Sequence, residues 1–301
     1  MTSVSVIVPV YNERERLARC LDALHRQTYP ADRYEVVVVD NGSDRPPEAL
    51  AERYDGVRLL VERRRGSYAA RNRGIAAANG ALLAFTDADC VPARDWLEQG
   101  VACFERSPEC GMVAGRIEVT ALRPGRPTAC ERYDQLFYLD QERAVTKGHY
   151  GATANLFTSR EVLCAVGPFD ASLKSSGDNE WGQRVHRAGF AQVYCPGAVV
   201  RHPARRSLRA LLRKELRIAG GLACIEADDG PTEASAVPLR ERVRRLVQPI
   251  RNALGVLVGG TSRKIPSVAQ RFQVAGIVLL VHALRRLEAW RVQRGGPPRN
   301  T

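Results

Sequence analysis

The chain begins with partial alternation and then gives it up. Residues 3–10, Ser-Val-Ser-Val-Ile-Val-Pro-Val, are β-branched and predict a strand, with Pro9 near its end, where a missing N–H is tolerated. Leu17, Cys20, Leu21 and Leu24 then fall at i, i+3, i+4 and i+7, one apolar face of a helix. Residues 34–39 hold a run of valines without alternation, the mark of a strand covered on both faces, and Asp40 leads into the turn Asn41-Gly42-Ser43-Asp44. Residues 46–54 fit a helix, 57–61 a third strand and the alanine-rich 67–79 another helix. Residues 81–85, Ala-Leu-Leu-Ala-Phe, are short, glycine-bounded and wholly apolar, and predict a buried strand at the centre of the fold. Strands alternating with helices at this spacing mean βαβ units and a parallel sheet.

Further along, 93–106 predicts a helix with Trp96, Leu97, Val101 and Phe104 inward, 111–120 a strand, 121–127 a basic loop and 132–146 a helix. A stretch of small residues at 150–158 precedes a short helix over 159–166. Residues 178–188 form another helix, and 191–194 and 198–201 two short strands closed by His202. From Ser207 the character changes. Residues 208–220 predict a basic amphipathic helix ending at Gly220-Gly221, 228–237 a loop, 239–257 a helical stretch broken by Pro249, and 272–294 a last helix. The apolar centre of that helix, 274–284, falls short of the ~20 residues of a spanning helix, and arginines follow it, so it suits an interface or a core. The expected organisation is one α/β domain over 1–205 and a basic helical extension over 206–301.

Composition changes this picture only through charge. With 45% hydrophobic and 26% charged residues, disorder is not the default. The net charge of +12 belongs to the last third: residues 1–200 carry 25 Lys+Arg against 26 Asp+Glu, and 201–301 carry 20 against 7. A near-neutral body argues against a general polyanion binder, and the basic tail for a surface that meets something anionic. Its arginine-rich amphipathic helices suit an anionic leaflet; a helical appendage with a solvated basic face is the plain rival. The last helices hold only Phe272 and Trp290 as aromatics, so nucleic acid is not an expected partner. The eight cysteines show no C-x-x-C pair, which favours a reducing compartment. The first residues lack a signal-like pattern, so the expected location is cytoplasmic, with a peripheral seat on the inner face of the plasma membrane.

The strand over 81–85 runs into Asp87 and Asp89. Where a strand leaves its sheet both carboxylates can face one cleft, and such an oxygen pair suits Mg²⁺ or Mn²⁺ carrying a diphosphate, although aspartate is also common in turns. Three more stretches join it: Pro9-Val10-Tyr11-Asn12-Glu13, Asp40-Asn41-Gly42-Ser43 and Arg71-Asn72-Arg73-Gly74. In this order the four resemble glycosyltransferase family 2, in a non-processive, bacterial-type form, over residues 3 to about 205.

That resemblance implies a GT-A fold, Rossmann-like with a mainly parallel sheet between helices. It implies inverting, metal-dependent transfer of one sugar from a nucleotide-diphosphate sugar to a hydroxyl of a glycan or lipid-linked acceptor of the cell envelope. It assigns donor binding to Pro9, Tyr11, Glu13, Asp40, Arg71 and Asp87, the divalent cation (Mg²⁺ or Mn²⁺) to Asp87, Asp89 and His202, and the general base to Asp178. Acceptor-side contacts fall to Asn155, Glu180 and Trp181. The family's Glu-Asp-x-Asp/Glu-Leu pattern stands here as Gly177-Asp178-Asn179-Glu180-Trp181, with Gly177 in place of the first acid. Absence of Gln-x-x-Arg-Trp implies one sugar per encounter. Each residue also has an ordinary reading: Asp40 an Asx turn, Tyr11 a core ring, Glu13 a first-turn acid, Arg71 a helix-face arginine, Asp178 an N-cap, Glu180 a partner of Arg184, His202 a structural histidine. Two other classes compete. A sugar nucleotidyltransferase would want a Gly-rich, Lys-containing phosphate loop, which residues 9–16 lack. A non-catalytic membrane-surface protein on a degenerate domain is opposed by intact Asp87, Asp89 and Asp178.

Overall fold

A computed structural model describes residues 1–107, 109–228 and 239–298. The chain packs as two compact units, Met1–Glu118 with Leu139–Pro203, and Val119–Tyr138 with Ala204–Thr301. Residues 119–138 therefore pack with the C-terminal helices, although the sequence reading grouped them with the first 205 residues.

In the first unit β1 (Val4–Val10), β2 (Tyr34–Asp40), β3 (Val57–Val61) and β4 (Leu82–Thr86) form a parallel half-sheet in the order β3-β2-β1-β4. Val36–Val39 and Val6–Val8 are buried on both faces, as their unbroken apolar runs require. Helix α1 (Arg14–His25) buries Leu17, Cys20, Leu21 and Leu24. Helix α2 keeps only Glu48–Ala51 of the stretch expected over 46–54. Helix α3 (Ser67–Ala77) lies so close to β1 that a Cβ on Gly74 would sit 2.6 Å from Ile7 Cγ2.

The sheet then reverses. After β5 (Val91–Pro92) and α4 (Trp96–Glu105) come β6 (Cys110–Thr120), β7 (Asn155–Ser159) and β8 (Ala191–Pro203), completing the order β4-β7-β6-β8-β5. The pairs β4–β7, β6–β7 and β5–β8 are antiparallel. The two short strands expected over 191–201 are one long strand that runs through Pro196 and Gly197, both exposed, where a missing N–H costs little. The single helix expected over 132–146 is two, α5 (Ala129–Phe137) and α6 (Gln141–Gly148), because Leu139 takes a left-handed φ of 57° and Asp140 caps a new helix at Arg143 N–H. Helices α7 (Arg160–Val166), capped by Ser159, and α8 (Gly177–Arg187) complete the unit.

The second unit packs α5 with α9 (Leu208–Asp228), α10 (Leu239–Leu257) and α11 (Val268–Gln293) around Tyr133, Leu211, Val256, Ile265, Val274, Val278 and Val281. Helix α9 runs through Gly220-Gly221, and α10 runs through Pro249 where a break was expected. The loop expected over 228–237 lies outside the described residues except for Asp228, which ends α9. Inside the unit Lys214 is buried 2.7 Å from Asp134 and 3.0 Å from Glu215, and Arg285 pairs with Glu215. No described helix is long and apolar enough to cross a membrane.

Candidate active site

Strand register decides which residues meet. Val10 pairs with Asp40 and Ile7 with Phe85, so the chain leaves β1, β2 and β4 at nearly one level of the sheet's carboxyl edge. Tyr11–Glu13, Asn41–Asp44 and Asp87–Asp89 all emerge there. Val91 of β5 pairs with Arg201 of β8, which brings His202 beside the turn carrying Asp89 and Cys90. The ligand atoms of Asp87, Asp89, Cys90 and His202 lie within 4.8 Å of one another.

This donor set fits a hard or borderline cation. Two ligand oxygens on one ion, each about 2.0–2.6 Å from it, are separated by no more than about 5 Å. His202 Nε2 lies 3.8 Å from Asp89 Oδ1, while its Nδ1 is 2.9 Å from Pro203 O. A carbonyl only accepts, so Nδ1 is the donor to Pro203 O and Nε2 is the nitrogen that faces Asp89. Burial, then Asp87 and Asp89, push the Cys90 thiol well above its ordinary value, which keeps it protonated and leaves the harder groups as ligands.

Arg71 joins this cluster to the second acidic site. It is 4% exposed, and its Nη2 stands 2.5 Å from Asp87 Oδ1. Its Nε is buried without a hydrogen-bond partner among the described residues. One helical turn earlier, Tyr68 reaches Asp178 at the start of α8: the hydroxyl donates to Oδ1 at 3.2 Å and accepts from the Asp178 N–H at 3.2 Å. Thr153 N–H donates to Oδ2 at 3.4 Å and Asn179 N–H to Oδ1 at 3.0 Å. Burial pushes the Asp178 carboxyl above its ordinary value, against the lowering pull of Arg71 and of these hydrogen bonds. The departure at Gly177 now has a physical reason: a Cβ there would sit 2.8 Å from the Tyr68 ring.

At the other end Tyr11 is half-exposed, with the Arg65 guanidinium 4.7 Å from its ring centroid. Asn41 fixes the loop that carries Arg65, donating to Glu62 O and Arg64 O and accepting from Gly66 N–H. Asp40 is 2% exposed and accepts from Ser43 N–H through both oxygens, which is the Asx-turn reading. Pro9 is half-buried. Glu13 holds Arg16 at 3.0 Å, and the same Arg16 Nη1 is 3.8 Å from Asp89. Burial raises the Glu13 carboxyl, with Arg16 opposing it.

Two of the three acceptor-side residues face the core. Asn155 is fully buried, accepting from Trp96 Nε1 and donating to Arg116 O and Ala198 O, so it ties β7 to its neighbours. Trp181 is fully buried with its indole N–H on Gly167 O. Glu180 is engaged by Arg184 at 2.6 Å. Sequence reasoning in turn missed Tyr68, Arg16 and the Thr153 N–H. Tyr68 and Arg16 stand at i−3 from Arg71 and i+3 from Glu13, a spacing that marks shared helix faces; a backbone N–H leaves no sequence signal.

The model of the family described as "Glycosyl transferase family 2" matches residues 5–184. The chain belongs to that family. It is a glycosyltransferase. Over 223 residues, 72% of each chain, it is 41% identical to glycosyltransferase AglE of Haloferax volcanii. Over 234 residues, 73% of this chain and 47% of the relative, it is 31% identical to the pre-mycofactocin glycosyltransferase of Mycobacterium tuberculosis. Among solved structures, the mannosyltransferase PcManGT of Pyrobaculum calidifontis, in complex with GDP-Man and Mn²⁺, superposes with a TM-score of 0.66 at 22% identity, covering 96% of this chain and 86% of that one. The family-2 glycosyltransferase described here thus has the GT-A fold expected of it, and the nucleotidyltransferase and non-catalytic readings fall away.

Proposed function

We propose that this glycosyltransferase moves one sugar from a nucleotide-diphosphate donor to an acceptor hydroxyl, inverting the anomeric centre, with a divalent cation at Asp87, Asp89 and His202. The observation that supports the reading is Arg71, which bonds Asp87 and whose charge pulls down the pKa of Asp178, so that one guanidinium bears on both the cation cluster and the second acid. The Mn²⁺ and GDP-Man of the mannosyltransferase complex support the donor and cation classes.

Asp178, ionised, takes the proton of the acceptor hydroxyl, whose oxygen attacks the anomeric carbon opposite the diphosphate; the bond to the phosphate oxygen breaks as the new bond forms. Tyr68 and Thr153 N–H hold the carboxylate in one direction during this step. Its raised pKa makes it a stronger base than an exposed aspartate. When bound, the cation supplies positive charge against which the diphosphate leaves. Arg71 restrains Asp87. In this reading the nucleobase is taken at the ends of β1 and β2, beside Pro9, Tyr11 and Asp40. The acceptor class in this reading is a glycan or lipid-linked alcohol of the cell envelope. A thermal-shift screen of GDP- and UDP-sugars with and without Mn²⁺ tests it: one donor raises the melting point, and more so with Mn²⁺. No donor response in the presence of Mn²⁺ contradicts it.

A further inference from the structure

Helix α11 is apolar almost all the way round over 274–284, a pattern belonging to helices that are covered on every side. Within its unit the described residues cover one side. Val274, Ile277, Val278, Val281 and Glu288 are buried. On the opposite side Val268, Phe272, Leu279, Leu287 and Trp290 are exposed, Phe272 by 63% and Trp290 by 51%. At 100° per residue these five, with Gly276 and Ala283, form one continuous stripe about 33 Å long. Helix α10 repeats the pattern with Val247, Ile250 and Leu254 at i, i+3 and i+7, all exposed. Such a stripe far exceeds the scattered exposed apolar residues of an ordinary surface.

Charge decides what covers it. Arg251, Arg263, Lys264, Arg286 and Arg294 are exposed in the same two helices and the turn between them. The acid of α11, Glu288, lies on the buried side, paired with Arg291 at 2.6 Å. Arg294 lies over the Trp290 ring at 4.2 Å, an aromatic–cation pair suited to the boundary between headgroups and acyl chains. A second copy is the poorer occupant, since a symmetric contact would bring two faces carrying the same exposed arginines together. We propose that the stripe of α11, with that of α10, docks on the surface of an anionic phospholipid bilayer, lying in the interface with the arginines among the headgroups. This surface is independent of the reaction proposed above.

The experiment uses the full chain without donor or cation, and vesicles of phosphatidylcholine with or without phosphatidylglycerol. Trp96 and Trp181 are fully buried, so Trp290 is the exposed tryptophan and reports directly. The proposal expects cosedimentation with phosphatidylglycerol vesicles, weakened by salt, together with a blue shift of Trp290 emission and quenching by brominated acyl chains. Phe272→Gln and Leu279→Gln, both at exposed positions, each weaken vesicle binding by about tenfold. Arg263→Glu with Lys264→Glu removes the preference for phosphatidylglycerol. Circular dichroism and the melting point of these variants match the unaltered protein. The proposal is overturned if the protein stays in the supernatant with phosphatidylglycerol vesicles. It is equally overturned if sedimentation shows a dimer that Phe272→Gln dissociates while vesicles leave Trp290 unshifted. Loss of donor response in the thermal screen leaves this result untouched, so the two readings fail separately.

Discussion

The Tyr68 hydroxyl and Asp178 bond each other twice, the hydroxyl donating to the carboxylate and accepting from the residue's own N–H, both at 3.2 Å. The pair locks the first turn of α8 to the first turn of α3 and aims one carboxylate. Tyr68→Phe removes both bonds and keeps the ring that packs on Phe169. Because the lost bond favours the ionised acid, the Asp178 pKa rises further, and the acid limb of the pH–rate profile moves to higher pH. The turnover number falls by about tenfold with donor KM little changed. A pH–rate profile of Tyr68→Phe with an unmoved acid limb would separate Tyr68 from the base.

The parallel half of the fold was legible because β1, β2 and β4 are short, mostly apolar runs, and α1 between the first two has a clear apolar period. The return half was not. Asn155 begins β7 among small residues whose partners, Arg116, Trp96 and Ala198, are remote in the chain, so no local pattern marks it. Leu139 breaks a helix without being glycine, whereas Gly220 does not end one: a Cβ there would come 3.0 Å from Pro298, so it is a packing glycine. At the site the carboxylates announced themselves by spacing at strand ends. The apparent acceptor residues Asn155 and Trp181 misled because polar and aromatic side chains near a motif look alike whether they face a cleft or a core.

Arg16 places a guanidinium 3.8 Å from Asp89, where a divalent cation would draw on the same carboxylate. Arg16→Gln removes this competitor, and Mn²⁺ binding followed by calorimetry tightens by about fivefold. His202→Ala and Asp89→Asn each weaken it by at least about tenfold. Equal affinity in Asp89→Asn would move the cation elsewhere.

Lys214, Asp134 and Glu215 are charges buried together in the helical unit, and burial lowers the Lys214 pKa against the pull of Glu215 and Asp134. Asp134→Ala leaves Lys214 sharing Glu215 with Arg285 and costs about 3 kcal/mol, read as a lower urea midpoint. A double variant, Asp134→Leu with Lys214→Met, recovers much of that loss, because both charges leave together.

The raised pKa of Asp178 carries its own stability consequence. A folded-state pKa above the unfolded one means the folded protein binds the extra proton, so this group favours folding at low pH and opposes it as pH rises through the folded value. Asp178→Asn, which carries no charge, therefore gains on the unaltered protein in melting point as pH rises from 4 to 8 (about the range spanned by raised carboxyl values). A gap that shrinks with pH would contradict the direction of the shift.

The most direct measurement pairs two quantities in Asp178→Asn: donor–Mn²⁺ affinity by calorimetry, and transfer to acceptor in single turnover. The account predicts donor affinity within about twofold of the unaltered protein and transfer lowered by about a hundredfold or more. Transfer at the unaltered rate, or donor binding lost together with transfer, would contradict the assignment of Asp178 as the base.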